Sequence, residues 1–246
     1  MVMGVKEHYE HHLGNFYSWM IGDLRSKVDS FSRFLSQQGI IANHGDLAAD
    51  LAAGHGIQSL ALAELGYKVI AIDFNHQLLQ ELVANAHSHS VEITAINDDI
   101  RNVAQQIHNA ALITCCGDTV THLDNLTDIR KLSASVFAAL RPGGKAIFSF
   151  RDYATPLLGD RRFIPVKSDE NRILTCILDY NSDSVTVTDL LLERTEAGWH
   201  QSVSSYSKVR LDRNTFISIL TGEGFEIELN DFVSNMITVL AVKPAS

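Results

Sequence analysis

Proline, cysteine and basic charge are scarce in this chain, and each scarcity excludes something. Only four prolines occur in 246 residues, and all lie beyond residue 141, so the first half is free to alternate regular elements. Cysteine occurs three times, as Cys115, Cys116 and Cys176. With no Cys-x-x-Cys pair there is neither a disulfide framework nor a zinc-ligand spacing, and the residues read as reduced, buried thiols. Lys and Arg total 20 against 29 Asp and Glu, for a formal charge of −9. That balance leaves no overall basic footprint, so no nucleic-acid partner is expected. No apolar run is long enough to span a bilayer, so no membrane role is expected. The opening Met1–His12 segment lacks the apolar core of a cleavable signal, which makes a cytoplasmic location the expectation.

Regular periodicity fills the rest. Residues from Lys6 to about Gln38 read as helical, with a break near Gly22–Asp23 and a stop at Gly39. Leu24, Val28, Phe31, Phe34 and Leu35 form an amphipathic stripe. Strands and helices then alternate. Strands are expected at about Leu47–Leu51, Val69–Asp73, Val91–Ile96, Ala110–Cys116 and Lys145–Phe150. Helices are expected at about Ile57–Leu65, His76–His87 with Asn75 as N-cap, Val103–Asn109 and Leu126–Leu140. Ala110–Cys116 is almost uninterruptedly apolar, as a central strand buried on both faces should be. Arg141-Pro-Gly-Gly144 reads as a tight turn. Four β/α repeats with short connections imply a parallel, doubly wound sheet. Beyond Phe150 the pattern becomes β-rich, with segments Ile173–Tyr180, Val185–Glu196 and Trp199–Val209 separated by short turns. A helix from Asp212 or Arg213 to about Glu223 precedes strands Phe225–Leu229 and Met236–Val242. Their short joint implies an antiparallel closing hairpin.

The most informative stretch is Leu47–Gly56. An apolar run ends in Asp50 and opens into a turn at Gly54 and Gly56; a helical run follows, and a second apolar run ends in Asp73. Strand, glycine turn, helix, strand, acid is the opening unit of a nucleotide-binding sheet. Glycine lets backbone approach a ligand closely, and a strand-end acid accepts hydrogen bonds from a ribose diol. The turn fits two cofactor classes. As Gly-x-Gly-x-x-Gly it runs Gly54, Gly56, Ser59, with serine in the third small position. As the Asp-x-Gly-x-Gly-x-Gly signature of methyltransferases it runs Asp50, Ala52, Gly54, Gly56, with alanine for the first glycine.

Further pieces agree in order with the second reading: Asp73, then Asp98-Asp99-Ile100, then Cys116-Gly117-Asp118-Thr119, then Leu140-Arg-Pro-Gly-Gly144. Over about Leu47–Phe150 the chain resembles the class I S-adenosylmethionine-dependent methyltransferases. The resemblance implies an α/β fold: a doubly wound, Rossmann-like seven-stranded sheet with an antiparallel closing strand. Around it are expected an N-terminal helical cap or lid over residues 1–40 and a small antiparallel β insert at about 155–210 of a domain spanning 41–246. It implies S-adenosylmethionine as cofactor, with Ala52, Ala53, Gly54 and Gly56 beneath its methionine part and Asp50 bracing the loop. It further implies Asp73 on the ribose, Phe74 against the adenine, Asp99 and Ile100 at the adenine edge, and Cys116 and Gly117 facing the amino group and sulfonium.

The acceptor side is read from strand ends, where ligands bind in such sheets. His122 is a candidate general base, Asp118 a candidate for orienting cofactor or acceptor, and Arg151 a candidate for binding a carboxylate. Tyr17 and Trp19 are candidates for a lid over the cleft and are counted with the cofactor-binding residues. His122, Arg151 and the aromatics each have a structural alternative: His122 bonding its own loop, an Arg151–Asp152 surface pair, and aromatics that merely bury a helix face. His8, His11 and His12 share a helix face but lack a further partner, so no metal site is expected. The expectation is methyl transfer to a small-molecule acceptor, with monomer and homodimer both open. The alternatives are an NAD(P)-dependent oxidoreductase and a non-catalytic S-adenosylmethionine-binding protein.

Overall fold

The structure is a computed structural model that describes residues 2–245. The chain forms two compact units: residues up to Gly22 with Asp152–Asp212, and Asp23–Arg151 with the residues from Arg213 onward. In chain order, the first unit opens with β1 (Val2–Met3), α1 (Val5–His11), a 3-10 turn (Leu13–Phe16) and α2 (Tyr17–Ile21). The other unit follows with α3 (Leu24–Gln37), β2 (Leu47–Leu51), α4 (Ile57–Glu64), β3 (Lys68–Asp73), α5 (His76–Ser88), β4 (Ile93–Asn97), α6 (Val103–Gln106), β5 (Ala110–Cys115), α7 (Leu126–Ala139) and β6 (Leu140–Phe150). The chain then returns to β7 (Phe163–Ser168), β8 (Arg172–Tyr180), β9 (Ser184–Thr195) and β10 (Gly198–Val209), and closes with α8 (Arg213–Gly222), β11 (Glu226–Val233) and β12 (Met236–Val242).

The larger unit is a seven-stranded sheet of order β11-β12-β6-β5-β2-β3-β4. Strands β6, β5, β2, β3 and β4 are parallel, while β12 runs antiparallel to β6 and to β11. All six residues of β5 are buried, as its almost unbroken apolar sequence requires once helices cover both faces. Strand order reverses at β2, which pairs with β3 on one side and β5 on the other, so the loops after β2 and β5 diverge and leave a crevice at their carboxyl ends. Helix α3 starts where the Asp23 side chain accepts from Ser26 N–H at 3.2 Å, and its apolar stripe buries Val28, Phe34 and Leu35. Burying each such side chain stabilises by roughly 1.5–3 kcal/mol.

The smaller unit is a five-stranded sheet of order β1-β10-β9-β8-β7. Strand β9 alternates a buried row, Val185, Val187, Asp189 and Leu191, with a half-exposed one. Leu174, Leu191, Leu13 and Phe16 pack together, with Tyr17 and Trp19 against them. Buried Asp189 is matched by buried His8, whose Nε2 lies 3.1 Å from the carboxylate and whose Nδ1 lies 2.8 Å from Ser204 Oγ. Cys176 Sγ donates to the other Asp189 oxygen at 2.8 Å, so the buried acid is well supplied with donors.

Several local expectations need correction. Arg141-Pro-Gly-Gly144 is not a turn before a strand; it lies inside β6, where the register steps from Ala110 opposite Leu140 to Leu112 opposite Lys145. Gly143 takes φ +72° there, and a Cβ on Gly144 would meet carbonyl oxygens of Ala110 and Arg141 at 2.8 Å, so glycine is needed for the bulge. The helix expected over Val103–Asn109 is a 3-10 turn at Ile100–Asn102 followed by one turn of α-helix. The first helical stretch breaks again at His12, whose φ of −136° leaves the helical region. Strands β1 and β7 were unanticipated, one being two residues long and the other containing Pro165 at an edge. Among the described residues no helix is long and apolar enough to cross a membrane.

Candidate active site

The crevice is built on two carboxylates. Asp50, near the end of β2, is 1% exposed and accepts from Ser59 Oγ at 2.6 Å and Thr114 Oγ1 at 2.9 Å. It thereby ties β2 to the first turn of α4 and to β5. Ser59, the residue that spoils a Gly-x-Gly-x-x-Gly reading, is thus one of its donors. Burial pushes the Asp50 carboxyl up to about 6 despite those hydrogen bonds.

The loop after β2 needs left-handed backbone: Ala52, Gly54 and Gly56 have φ of +55°, +53° and +105°. Alanine occupies that region at a cost of about 1–2 kcal/mol, so the substituted signature keeps the glycine-type conformation. At Gly56 a Cβ would stand 3.0 Å from Leu82 Cγ. Asp73, at the end of β3, holds the loop from below: Gly54 N–H donates to Oδ2 and Asn75 N–H to Oδ1, both at 2.8 Å. Its burial raises the carboxyl above its ordinary value, against those backbone hydrogen bonds. Phe74 N–H is a third backbone donor to this carboxylate, which leaves part of its four-site acceptor capacity for a ribose hydroxyl. Phe74 is half-buried beside it, and Asn75 caps α5 by accepting from Leu78 N–H at 3.0 Å.

At the end of β4, Asp98 accepts from Asp99 N–H at 2.7 Å and from Asn102 Nδ2 at 3.0 Å. Asp99 caps the 3-10 turn through Arg101 N–H at 2.8 Å and pairs with the Arg101 side chain at 2.5 Å. Burial pulls the Asp99 carboxyl up, and Arg101 outweighs it, leaving the group below its ordinary value. Ile100 is buried next to it.

After β5, Cys116 is half-buried, and burial first, then the Asp50 charge, pushes its thiol up to about 12. It is therefore no thiolate nucleophile at neutral pH. Gly117 N–H donates to Ser149 Oγ at 3.0 Å. Asp118 is 3% exposed, and His122 ends a short 3-10 turn, half-buried. Arg151, the residue after β6, has an exposed side chain, while its N–H donates to Asp118 Oδ1 at 2.9 Å.

The larger unit therefore gathers Asp50, the Ala52–Gly56 loop, Asp73, Phe74, Asp99, Ile100, Cys116, Gly117, Asp118, His122 and Arg151 onto strand ends and the loops leaving them. Tyr17 and Trp19 belong to the smaller unit. There Trp19 Nε1 donates to Asp169 at 2.5 Å, with Lys167 and Arg172 over its ring at 5.3 and 5.7 Å. Sequence reasoning missed the supporting hydroxyls of Ser59, Thr114 and Ser149. Only Ser59 carried a signal, as a serine in a slot for small residues.

Residues 48–144 match the family described as "Methyltransferase domain". That segment is a methyltransferase domain of the class I S-adenosylmethionine-dependent type. It is 30% identical over 130 residues to a glycine/sarcosine N-methyltransferase of Halorhodospira halochloris, covering 52% of this chain and 47% of that one. The chain spans about half the length, or less, of the glycine/sarcosine N-methyltransferases it matches. Its fold matches that of an S-adenosylmethionine-dependent methyltransferase from Clostridium acetobutylicum ATCC 824, with TM-score 0.74, 18% identity and coverage of 98% and 97%. It also matches SAM-bound CalS10, an amino pentose methyltransferase from Micromonospora echinaspora, with TM-score 0.67, 14% identity and coverage of 90% and 92%. For the glycine loop, which lies within the matched residues, the methyltransferase-domain match replaces the dinucleotide reading.

Proposed function

We propose that this methyltransferase moves a methyl group from S-adenosylmethionine to the nitrogen of a small amine that carries a carboxylate. The observation that carries the acceptor class is Arg151, whose guanidinium is exposed at the carboxyl end of β6 while its backbone is held on Asp118. A planar guanidinium binds a carboxylate through two parallel hydrogen bonds. The glycine/sarcosine N-methyltransferase relatives support an amino-acid-like acceptor.

The cofactor's fit rests on the loop geometry. Left-handed backbone at Ala52, Gly54 and Gly56 turns the loop tightly into the N-terminus of α4, and the Asp73 carboxylate that holds it has acceptor capacity left for a ribose hydroxyl. Bound there, S-adenosylmethionine would supply an activated methyl group, with the C–S bond breaking as the amine nitrogen forms its bond to carbon and the sulfur leaving as a neutral thioether. The chain's own residues then align and desolvate the partners. Arg151 fixes the acceptor by its carboxylate, the Cys116–Gly117 backbone faces the reacting end, and His122 accepts the proton that the amine gives up.

The test is labelled methyl transfer from S-adenosylmethionine to glycine, sarcosine and methylamine, with wild type and Arg151→Ala. The proposal expects transfer to the carboxylated amines and a KM raised at least tenfold by Arg151→Ala. Equal use of methylamine and glycine would remove the carboxylate anchor. Cofactor binding with no transfer to any amine would favour the non-catalytic reading.

A further inference from the structure

The turn after β5 is stitched to the end of β6 by more bonds than a surface loop requires. Gly117 and Asp118 are consecutive left-handed residues, with φ of +79° and +78°. Gly117 N–H donates to Ser149 Oγ and Asp118 N–H to Ser149 O, both at 3.0 Å. The Asp118 carboxylate then reaches one residue past β6. Its Oδ1 accepts from Arg151 N–H at 2.9 Å and lies 3.0 Å from Thr121 Oγ1, whose hydroxyl also lies 2.7 Å from Asp118 O. The acid is 3% exposed, so these donors stand in for solvent. Arg151 therefore has an exposed side chain on a backbone fixed by a partly buried, charge-assisted hydrogen bond.

We infer that Asp118 is a positioning residue for Arg151: its carboxylate fixes the backbone where the chain leaves β6, and so the direction in which the guanidinium is presented to the acceptor. This role rests on the reading of Arg151 as the acceptor's anchor. It places Asp118 one step behind the acceptor. Gly117 is held separately, by its own N–H on Ser149 Oγ and by Asp118 N–H on Ser149 O, so loss of the carboxylate bears on Arg151 and not on the cofactor-side backbone.

The test uses Asp118→Gly and Asp118→Asn in the full chain. Glycine suits φ +78°, so the first variant removes the carboxylate without straining the turn. Asparagine also tolerates the left-handed region and keeps an oxygen acceptor for Arg151 N–H. Amide hydrogen exchange of the peptide containing Arg151, on ligand-free protein, is the first readout. It should speed up at least tenfold in Asp118→Gly and stay within threefold of wild type in Asp118→Asn. The second readout is steady-state kinetics with glycine as probe at saturating S-adenosylmethionine. Asp118→Gly should lose at least tenfold in kcat/KM, mainly through KM, and Asp118→Asn should restore it. Affinity for S-adenosylhomocysteine should stay within threefold for both. In an Arg151→Ala background, Asp118→Gly should cost nothing further. Unchanged exchange in Asp118→Gly, an equally impaired Asp118→Asn, or an undiminished loss in the Arg151→Ala background would overturn the inference. Faster exchange in Asp118→Gly combined with an Arg151→Ala variant of normal glycine KM would sink the anchor reading alone, because exchange needs no turnover.

Discussion

Asp50→Asn is expected to make the protein more stable, and increasingly so as pH rises. The Asp50 carboxyl is wholly buried, and desolvation lifts it from 3.8 to about 6 although Ser59 and Thr114 both donate to it. A carboxyl whose folded value is raised binds a proton more tightly folded than unfolded, so stability falls as pH rises between the two values. The loss begins near pH 3.8 and is complete above the folded value of about 6. At 1.36 kcal/mol per unit, ionised Asp50 costs about 3 kcal/mol at pH 8. Roughly 1.4 kcal/mol of that develops between pH 5 and pH 8. Asparagine is nearly isosteric and keeps an oxygen acceptor, and the Ser59 and Thr114 hydroxyls can rotate to meet its amide. Urea unfolding of wild type and Asp50→Asn at several pH values checks this. The difference between the proteins should widen by about 1.4 kcal/mol from pH 5 to pH 8. Parallel pH profiles would refute the reasoning, because a pH-independent offset reflects packing and not the buried charge.

Other perturbations probe the loop and the thiols. Ala52→Gly relieves a φ of +55° and should stabilise by up to about 1 kcal/mol, once glycine's extra unfolded-state freedom offsets part of the gain, read as a rise in Tm. Gly56→Ala adds a Cβ 3.0 Å from Leu82 Cγ at φ +105° and should destabilise by roughly 2 kcal/mol, with weaker S-adenosylhomocysteine binding by calorimetry; wild-type behaviour would show that the loop relaxes freely. Cys115 and Cys116, both with thiols raised by burial, should escape iodoacetamide at pH 8 in native protein and react only on unfolding, as followed by mass spectrometry.

The order of elements was legible because their hydrophobic periods are unambiguous. Apolar Ala110–Cys115 became the fully buried β5, and Asn75 capped α5 as its position before the helix implied. The closing hairpin was readable from the six residues between its strands, although the strands extend to a two-residue turn at Ser234 and Asn235, both at positive φ. Arg141-Pro-Gly-Gly144 misled because proline and two glycines suit a turn and a bulge alike. Only the register against β5 separates the two. The supports of the site were invisible for a different reason. Thr114 and Ser149 lie in apolar strands, and a hydroxyl there acquires meaning only when pairing sets it beside Asp50 or Gly117. Asp118 was legible as an acid after the central strand. Its burial, and its bond to Arg151 N–H across two adjacent strands, were not.

Calorimetric titration of ligand-free wild type and Asp73→Ala with S-adenosylhomocysteine, with NADH in parallel, tests the placement of the cofactor on the Ala52–Gly56 loop most directly. Asp73 holds Gly54 N–H at 2.8 Å and has acceptor capacity left for a ribose hydroxyl, so its removal loses both supports. The account predicts micromolar, one-to-one binding of S-adenosylhomocysteine to wild type, at least tenfold weaker binding to Asp73→Ala, and no binding of NADH. Equal affinity in the two proteins, or binding of NADH alone, would contradict it.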